Sequence, residues 1–264
     1  MSKYLSMTLP RQHGAWSILA ACYILGLIGG AINGRSLLFA LPVAAGFLAR
    51  HTFSQFLRIK KPDVRKALLF PWLSLYAALS VLVPLFLIIY YGLWLLLPFG
   101  GILALLFAVS VILNRMRQEI TVHGELTGIF GLSMIIPATI YAATGEMQKE
   151  NIGLWFISFL FFSGSVFHVR YLVRSREALS SPLKERLKAG SASLVFYLAS
   201  LIIVYVCGAY GIVVENAFAT LIPVVLKAFY AVLRRYETPP SVRGIGFSEL
   251  GHTIVFLALA AILL

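Results

Sequence analysis

Apolar residues in this chain gather into nine long blocks separated by short polar segments. Each block is close to the roughly 20 residues that a helix needs to cross a bilayer. The blocks lie near 15–32, 37–56, 67–87, 92–113, 126–144, 152–171, 191–208, 215–233 and 246–264. The fold class they predict is all-α, a polytopic integral membrane bundle of about nine transmembrane helices. Of 264 residues, 60% are hydrophobic, and nearly all of these fall in the blocks. No room remains for a soluble domain with its own core, so residues 1–264 read as a single integral membrane domain.

Charge fixes the expected orientation. All but three of the 22 Lys and Arg residues fall in alternate gaps between blocks. Counting Arg50 and Arg170, at the ends of the second and sixth blocks, with the connections they lead into, two precede the first span, six fall at the second-to-third connection, two at the fourth-to-fifth, six at the sixth-to-seventh, and three at the eighth-to-ninth. Arg35 and Lys149 fall on the opposite side, and Lys227 falls inside a span. The positive-inside bias then predicts a cytoplasmic N-terminus and, with an odd number of spans, an extracytoplasmic C-terminus. The tryptophans agree, since Trp16, Trp72, Trp94 and Trp155 all fall at span ends, the headgroup level that indole rings prefer. The shortest turn expected is Tyr90-Tyr91-Gly92, between spans three and four.

The net charge of +12 therefore sits in loops that meet anionic headgroups. Membrane lipids are the implied partners, and no nucleic acid is implied. Residues 1–14 resemble the charged region of a signal peptide, but the apolar run continues to about Ile32 without a small-x-small cleavage site. It reads as a retained first helix. Cys22 and Cys207 lie in separate spans with neither a CxxC pair nor a disulfide framework, which fits reduced packing residues. Pro42, Pro71, Pro84, Pro98, Pro137 and Pro223 lie within spans and predict kinked helices. Gly26 and Gly30 in span one, with Gly124, Gly128 and Gly131 in span five, predict small faces for close helix packing.

Candidate chemistry concentrates in two basic connections that look like counterparts. The first, from Arg50 and His51 through Gln55, Arg58, Lys60, Lys61 and Asp63 to Lys66, follows span two. The second, from His168 through Arg170, Arg174 and Glu177 to Arg186 and Lys188, follows span six. Their separation by four spans predicts a duplicated four-helix unit. His51, Gln55 and Arg58 share one helical face, and Arg170, Arg174 and Glu177 share another. Turned inward, such faces would hold a phosphate or carboxylate directly, without metal. His51, Gln55, His168, Arg170 and Arg174 are therefore expected to bind ligand. His13, able to carry a proton near neutral pH, and Glu125, close to the apolar run of span five, join them. Arg58, Lys60, Lys61, Lys184 and Arg186 read instead as headgroup anchors. Lys227 is expected to snorkel or pair within the bundle, and the Glu249-x-x-His252 spacing is a weak metal signal. No metal site and no cofactor is expected, and catalytic residues are unassigned. No Walker A loop, dinucleotide fingerprint, serine elbow or zinc spacing is present. That excludes an ATP-driven pump unless a partner supplies the nucleotide-binding subunit.

Pro10-Arg11-Gln12-His13-Gly14-Ala15-Trp16 resembles the Pro-Arg-Glu-His-Gly-Ala-Trp signature of the YwiC-like family of bacterial membrane proteins. Glu125-Leu-Thr-Gly128 and His168-x-Arg170 are also similar to that family, and Gln12 stands where the signature has Glu. The resemblance implies a bacterial cell (inner) membrane but no established activity. A more distant similarity is to the UbiA superfamily of intramembrane prenyltransferases, whose nine helices carry long cytoplasmic loops after helices two and six. In those enzymes the loops bear Asn/Asp-rich motifs that hold magnesium on a prenyl diphosphate. Here the matching positions hold His51, Gln55, His168 and Arg170, and Asp63 is the single aspartate of the chain. The expected function is binding of a lipidic or isoprenoid anion by the basic loops without magnesium. Whether a reaction follows is left open. The alternatives are a transporter of a small organic anion and a structural or accessory subunit. Few polar side chains are expected at mid-depth in spans six to nine, which favours the first reading.

Overall fold

Proline and glycine decide where the apolar blocks become separate helices. The computed structural model describes residues 13–59, 64–116, 118 and 120–264. Pro10, Arg11, Gln12, Lys60, Lys61 and Asp63 lie outside the described residues, as does the side chain of His13. Regular structure among the described residues is entirely helical: α1 His13–Gly29, α2 Gly34–Arg58, α3 Val64–Tyr91, α4 Leu96–Arg115, α5 Val122–Ser133, α6 Ile135–Thr144, α7 Lys149–Arg174, α8 Arg176–Ser180, α9 Leu183–Ala209, a 3-10 segment Glu215–Leu221, α10 Ile222–Leu233 and α11 Val242–Leu263. Eight helical stretches, from Gly34–Arg58 to Val242–Leu263, are long and apolar enough to cross a membrane, and Gly14–Gly29 is a shorter apolar helix. They follow the expected blocks in order, eight as helices of spanning length and the first as a shorter one among the described residues.

Spans three and four separate where the short turn was expected. Gly92 takes φ of +71°, a left-handed conformation that side chains with a Cβ rarely adopt, and α3 ends just before it. Two spans depart from a plain helix. Span five breaks at Met134 into α5 and α6. Pro137 has no N–H to give to the carbonyl of Ser133, and its ring crowds that carbonyl. The break thus falls one turn before the proline. Span eight opens as a 3-10 segment and becomes α-helical at Ile222, with Pro223 in the first turn of α10, where its missing N–H costs nothing.

The described residues pack as two compact units, 13–16 with 26–147 and 17–25 with 148–264. In the first, α2 packs along α3 and meets α6 and α4, while α4 meets α5 and α6. Gly26 and Gly30 lie against α6, where a Cβ would crowd Thr139, Ile140 and Ala143. This is the close packing expected of that glycine pair. Gly128 and Gly131 show no such approach: the first has open space beside it and the second only the tip of Leu106 at 3.7 Å. Asn33 caps α2 through Ser36 and, with Arg35, donates to the carbonyl of Ala143 at the end of α6. Arg35 also lies over the Tyr91 ring, 5.7 Å from its centroid. That local anchorage explains a cation on the side otherwise poor in them.

In the second unit α7 packs on α9 and α11, α9 on α10 and the 3-10 segment, and α11 on the 3-10 segment and α10. Each unit thus holds four spans, and in both the first packs on the second and fourth and the third on the fourth. This accords with the four-span period read from the loops. The apolar centre of the second unit includes Phe161 stacked on Phe256 at 4.1 Å. Exposed side chains such as Leu82, Ile89, Leu105, Ile202 and Leu226 present hydrocarbon outward, as a bilayer requires. Helix association therefore rests on close packing and on polar contacts between helices, and the second unit has an unusual concentration of the latter.

Candidate functional site

Four helices of the second unit converge on one carboxylate. Glu249 of α11 accepts a hydrogen bond from the Ser165 hydroxyl of α7 at Oε2. At Oε1 it meets the ammonium of Lys227 from α10, 2.8 Å away. Nε2 of His168, one turn beyond Ser165 on α7, is 4.0 Å from the same oxygen, too long for a direct hydrogen bond but within ion-pair range. Tyr197 of α9 closes the group, its ring centroid 6.0 Å from Lys227 Nζ. It reaches this position because Gly164 offers no side chain; a Cβ there would overlap the ring.

Sequence position explains the common depth. His168 lies six residues before the Arg174 end of α7, Lys227 six before the Leu233 end of α10, and Glu249 seven after Val242. At 1.5 Å per residue each is about 9–10 Å along its helix from the same, basic-loop end. Three ionisable groups at one level within spanning helices meet by construction rather than by side-chain length.

Burial makes the group costly unless its charges cancel. The His168 and Lys227 side chains are 3% and 7% exposed, while Glu249 keeps 20%. Lys227 and Glu249 neutralise one another, which is what a low-dielectric interior demands of buried charge. Two polar atoms are left over. Nδ1 of His168 and the hydroxyl of Tyr197 are buried with no hydrogen-bond partner among the described residues. An orphaned buried polar atom is expensive and calls for an oxygen or nitrogen opposite it. Ser163 and Ser193, also buried without a side-chain hydrogen bond, lie on the same two helices. The expectation that spans six to nine are poor in polar groups at depth is thereby corrected: the groups are few along each helix, but they come together.

The Glu249-x-x-His252 spacing does not bring its two members to one point. His252 turns Nδ1 to the carbonyl of Ser248 at 2.7 Å, and Glu249 is engaged by Lys227. Among the described residues no three His, Cys, Asp or Glu side chains gather as metal ligands. Lys227 pairs within the bundle, one of the two roles expected of it.

The basic ends are put to more local use than the charge count implied. In the first unit Arg50 donates to Ser110 at 2.9 Å and Arg58 to Asn114 at 3.3 Å, fastening α2 to α4. His51 and Gln55 are half-buried on one face of α2, and Glu125 is half-buried in the first turn of α5. In the second unit Arg186, expected as a headgroup anchor, is buried instead. It donates to the carbonyls of Val232 and Leu233 at 3.0 Å each and of Ser181 at 2.8 Å, capping the C-terminal end of α10. Arg170 is half-buried and Arg174 exposed on the last turns of α7, below His168. An open apolar groove lined by Ile152, Trp155, Cys207 and Val213 lies toward the other end of α7, away from the charged group.

Of the residues expected to bind ligand, His168 alone belongs to the buried cluster. Ser165, Tyr197, Lys227 and Glu249 were not among them. The signal available in the sequence was ionisable residues inside spans, each a functional candidate by default.

A profile described as YwiC-like protein matches residues 9–140, half of the chain, running from the Pro10–Trp16 signature through α5 and most of α6. Comparison with curated proteins and with solved structures gives no match, so the likeness to the UbiA superfamily rests on the sequence features alone. The matched half includes His51, Gln55 and Glu125, while the buried cluster lies beyond it. With eight helices of spanning length among its described residues and the match over half its length, this chain is a multi-pass membrane protein that belongs to the YwiC-like family.

Proposed function

We propose that the protein binds a carboxylate- or phosphate-bearing ligand at the Ser165–His168–Tyr197–Lys227–Glu249 cluster, entered from the basic-loop end of the second unit. The observation that carries this reading is the pairing of a buried cation with two orphaned buried polar atoms, His168 Nδ1 and Tyr197 Oη. An anionic ligand would supply the acceptors that these groups lack. Arg170 and Arg174 on the following turns of α7 supply an attractive approach. In the first unit, His51 and Gln55 on α2 and His13 at the start of α1 are proposed ligand contacts in their own right, with Glu125 on α5 as a proposed partner for a cationic or hydrogen-bond-donating part of the ligand. The setting is a bacterial cell membrane, N-terminus cytoplasmic and C-terminus extracytoplasmic.

A lipid or isoprenoid phosphate and a small organic anion share this headgroup chemistry. They are separated by a binding experiment on the full chain in nanodiscs. Native mass spectrometry reports retained phosphatidylglycerol, and calorimetry reports lactate as the soluble probe. Binding of either that weakens at least tenfold in Lys227→Met and in His168→Gln supports the site. Equal binding by the wild type and both variants, or none of either probe, overturns it and leaves the cluster a helix fastening only.

A further inference from the structure

We infer that Glu249 is a proton-binding site coupled one-to-one to the anion, so that the buried centre takes up a proton and an anion together. The inference rests on the anion-site reading above and adds its energetics. The starting point is electroneutrality. Unbalanced charge at this depth is strongly disfavoured, and Lys227 with Glu249 makes a neutral pair. An arriving carboxylate that contacts Lys227 would bring the centre to a net negative charge. A proton delivered to Glu249 restores neutrality and at the same time frees the ammonium, because a neutral carboxyl competes poorly with a carboxylate for it.

The geometry lets Glu249 change partners without losing its place. Oε1 is the oxygen that faces Lys227 at 2.8 Å and His168 at 4.0 Å, whereas Oε2 is held separately by Ser165. A proton on Oε1 leaves the Ser165 bond to Oε2 intact, so the side chain stays anchored while Lys227 is released. The bond that forms is O–H on Glu249, and the one weakened is the Lys227 ion pair; the proton enters with the anion from the basic-loop end of the unit. His168 Nδ1 and the Tyr197 hydroxyl, both unpartnered, are then available to the anion with Lys227.

The other groups around the carboxyl are accounted for. Ser165 and His168 face it from α7, Tyr197 from α9 and Lys227 from α10, while His252 lies one turn along its own helix with Nδ1 on the Ser248 carbonyl. The 3-10 segment also packs on α11, but its one charged residue, Glu215, sits beside Gly208 at the far end of α9. Among the described residues, His168 is the imidazole within ion-pair range of Glu249 and so its competitor for the proton.

The test counts protons. The full chain in nanodiscs is titrated with lactate, which stays ionised near neutral pH, in two buffers of different ionisation enthalpy. The expected result is one proton taken up per lactate, with affinity rising about tenfold for each unit fall in pH, and no proton taken up with whatever lactate Glu249→Gln binds. Lactate bound by the wild type without proton uptake overturns the coupling and leaves the anion site standing. Uptake that survives Glu249→Gln but is lost in His168→Gln overturns the assignment to Glu249. Retained phosphatidylglycerol without lactate binding assigns the centre to a lipid headgroup and overturns the coupling, and loss of both probes overturns the anion site as well. The wild-type proton count decides the matter even if the Glu249 variant fails to fold.

Discussion

Replacing Lys227 by methionine keeps most of the side-chain volume and removes the charge opposite Glu249. Breaking a buried ion pair by deleting one partner costs about 3–5 kcal/mol. Glu249 keeps 20% exposure and its Ser165 hydrogen bond, which brings the expected loss to about 2–3 kcal/mol. Glu249→Gln leaves the ammonium with a neutral acceptor and should cost about 1–2 kcal/mol. The double variant carries neither charge, so its loss should be about 1 kcal/mol, well below the sum of the singles. The coupling energy is then about 2–4 kcal/mol, several times the roughly 0.6 kcal/mol typical of a hydrogen bond between membrane helices. Reversible unfolding in mixed micelles measures all four proteins of the cycle. Additive losses, with coupling under about 0.5 kcal/mol, would show that the two side chains do not meet as an ion pair in the folded protein.

Three further outcomes are expected. Gly164→Val should destabilise by about 1–3 kcal/mol through overpacking against Tyr197, and adding Tyr197→Leu should recover part of it; a thermal shift assay that finds no change in the single variant removes the tight α7–α9 contact. Arg186→Ala should cost about 2–4 kcal/mol by uncapping α10, and Arg186→Lys should restore only a fraction because a single ammonium cannot fork to three carbonyls. Faster amide exchange at the end of α10 would localise the effect, and equal stability of Ala and Arg would refute it. Alkaline phosphatase fused after Leu264 should be active, as an extracytoplasmic C-terminus requires, and an active cytoplasmic reporter at the same place would refute the charge-based orientation.

The spans were legible because bilayer thickness imposes a length on every apolar block, and that length is a property of the sequence alone. The Tyr91–Gly92 turn was legible for a local reason, since a glycine between two apolar runs permits the left-handed residue found there. The break in span five was only half legible. Pro137 announces a disturbed helix, but whether the chain bends or separates at Met134 depends on the packing of α5 and α6 on α4. Arg186 was misread because a charged residue at a span end looks the same from the sequence whether it meets headgroups or the carbonyls of a neighbouring helix.

The buried cluster shows which coordinate the sequence lacks. Depth was available: His168, Lys227 and Glu249 lie six, six and seven residues from helix ends on one side of the unit, so a shared level could have been computed from the span boundaries. Rotation about each helix axis was not. A single ionisable residue does not say which way its span turns when apolar side chains cover every other face of the helix, as they must in a bilayer. The small residues that let helices approach supply the missing angle. Gly164 precedes Ser165 and lies one turn before His168, and only a face this bare admits the Tyr197 ring. The same approach of α9 to α7 that seats the tyrosine places its hydroxyl in the polar interior. The glycine therefore links backbone packing to site chemistry, and substitutions at Gly164 should disturb ligand binding as well as stability.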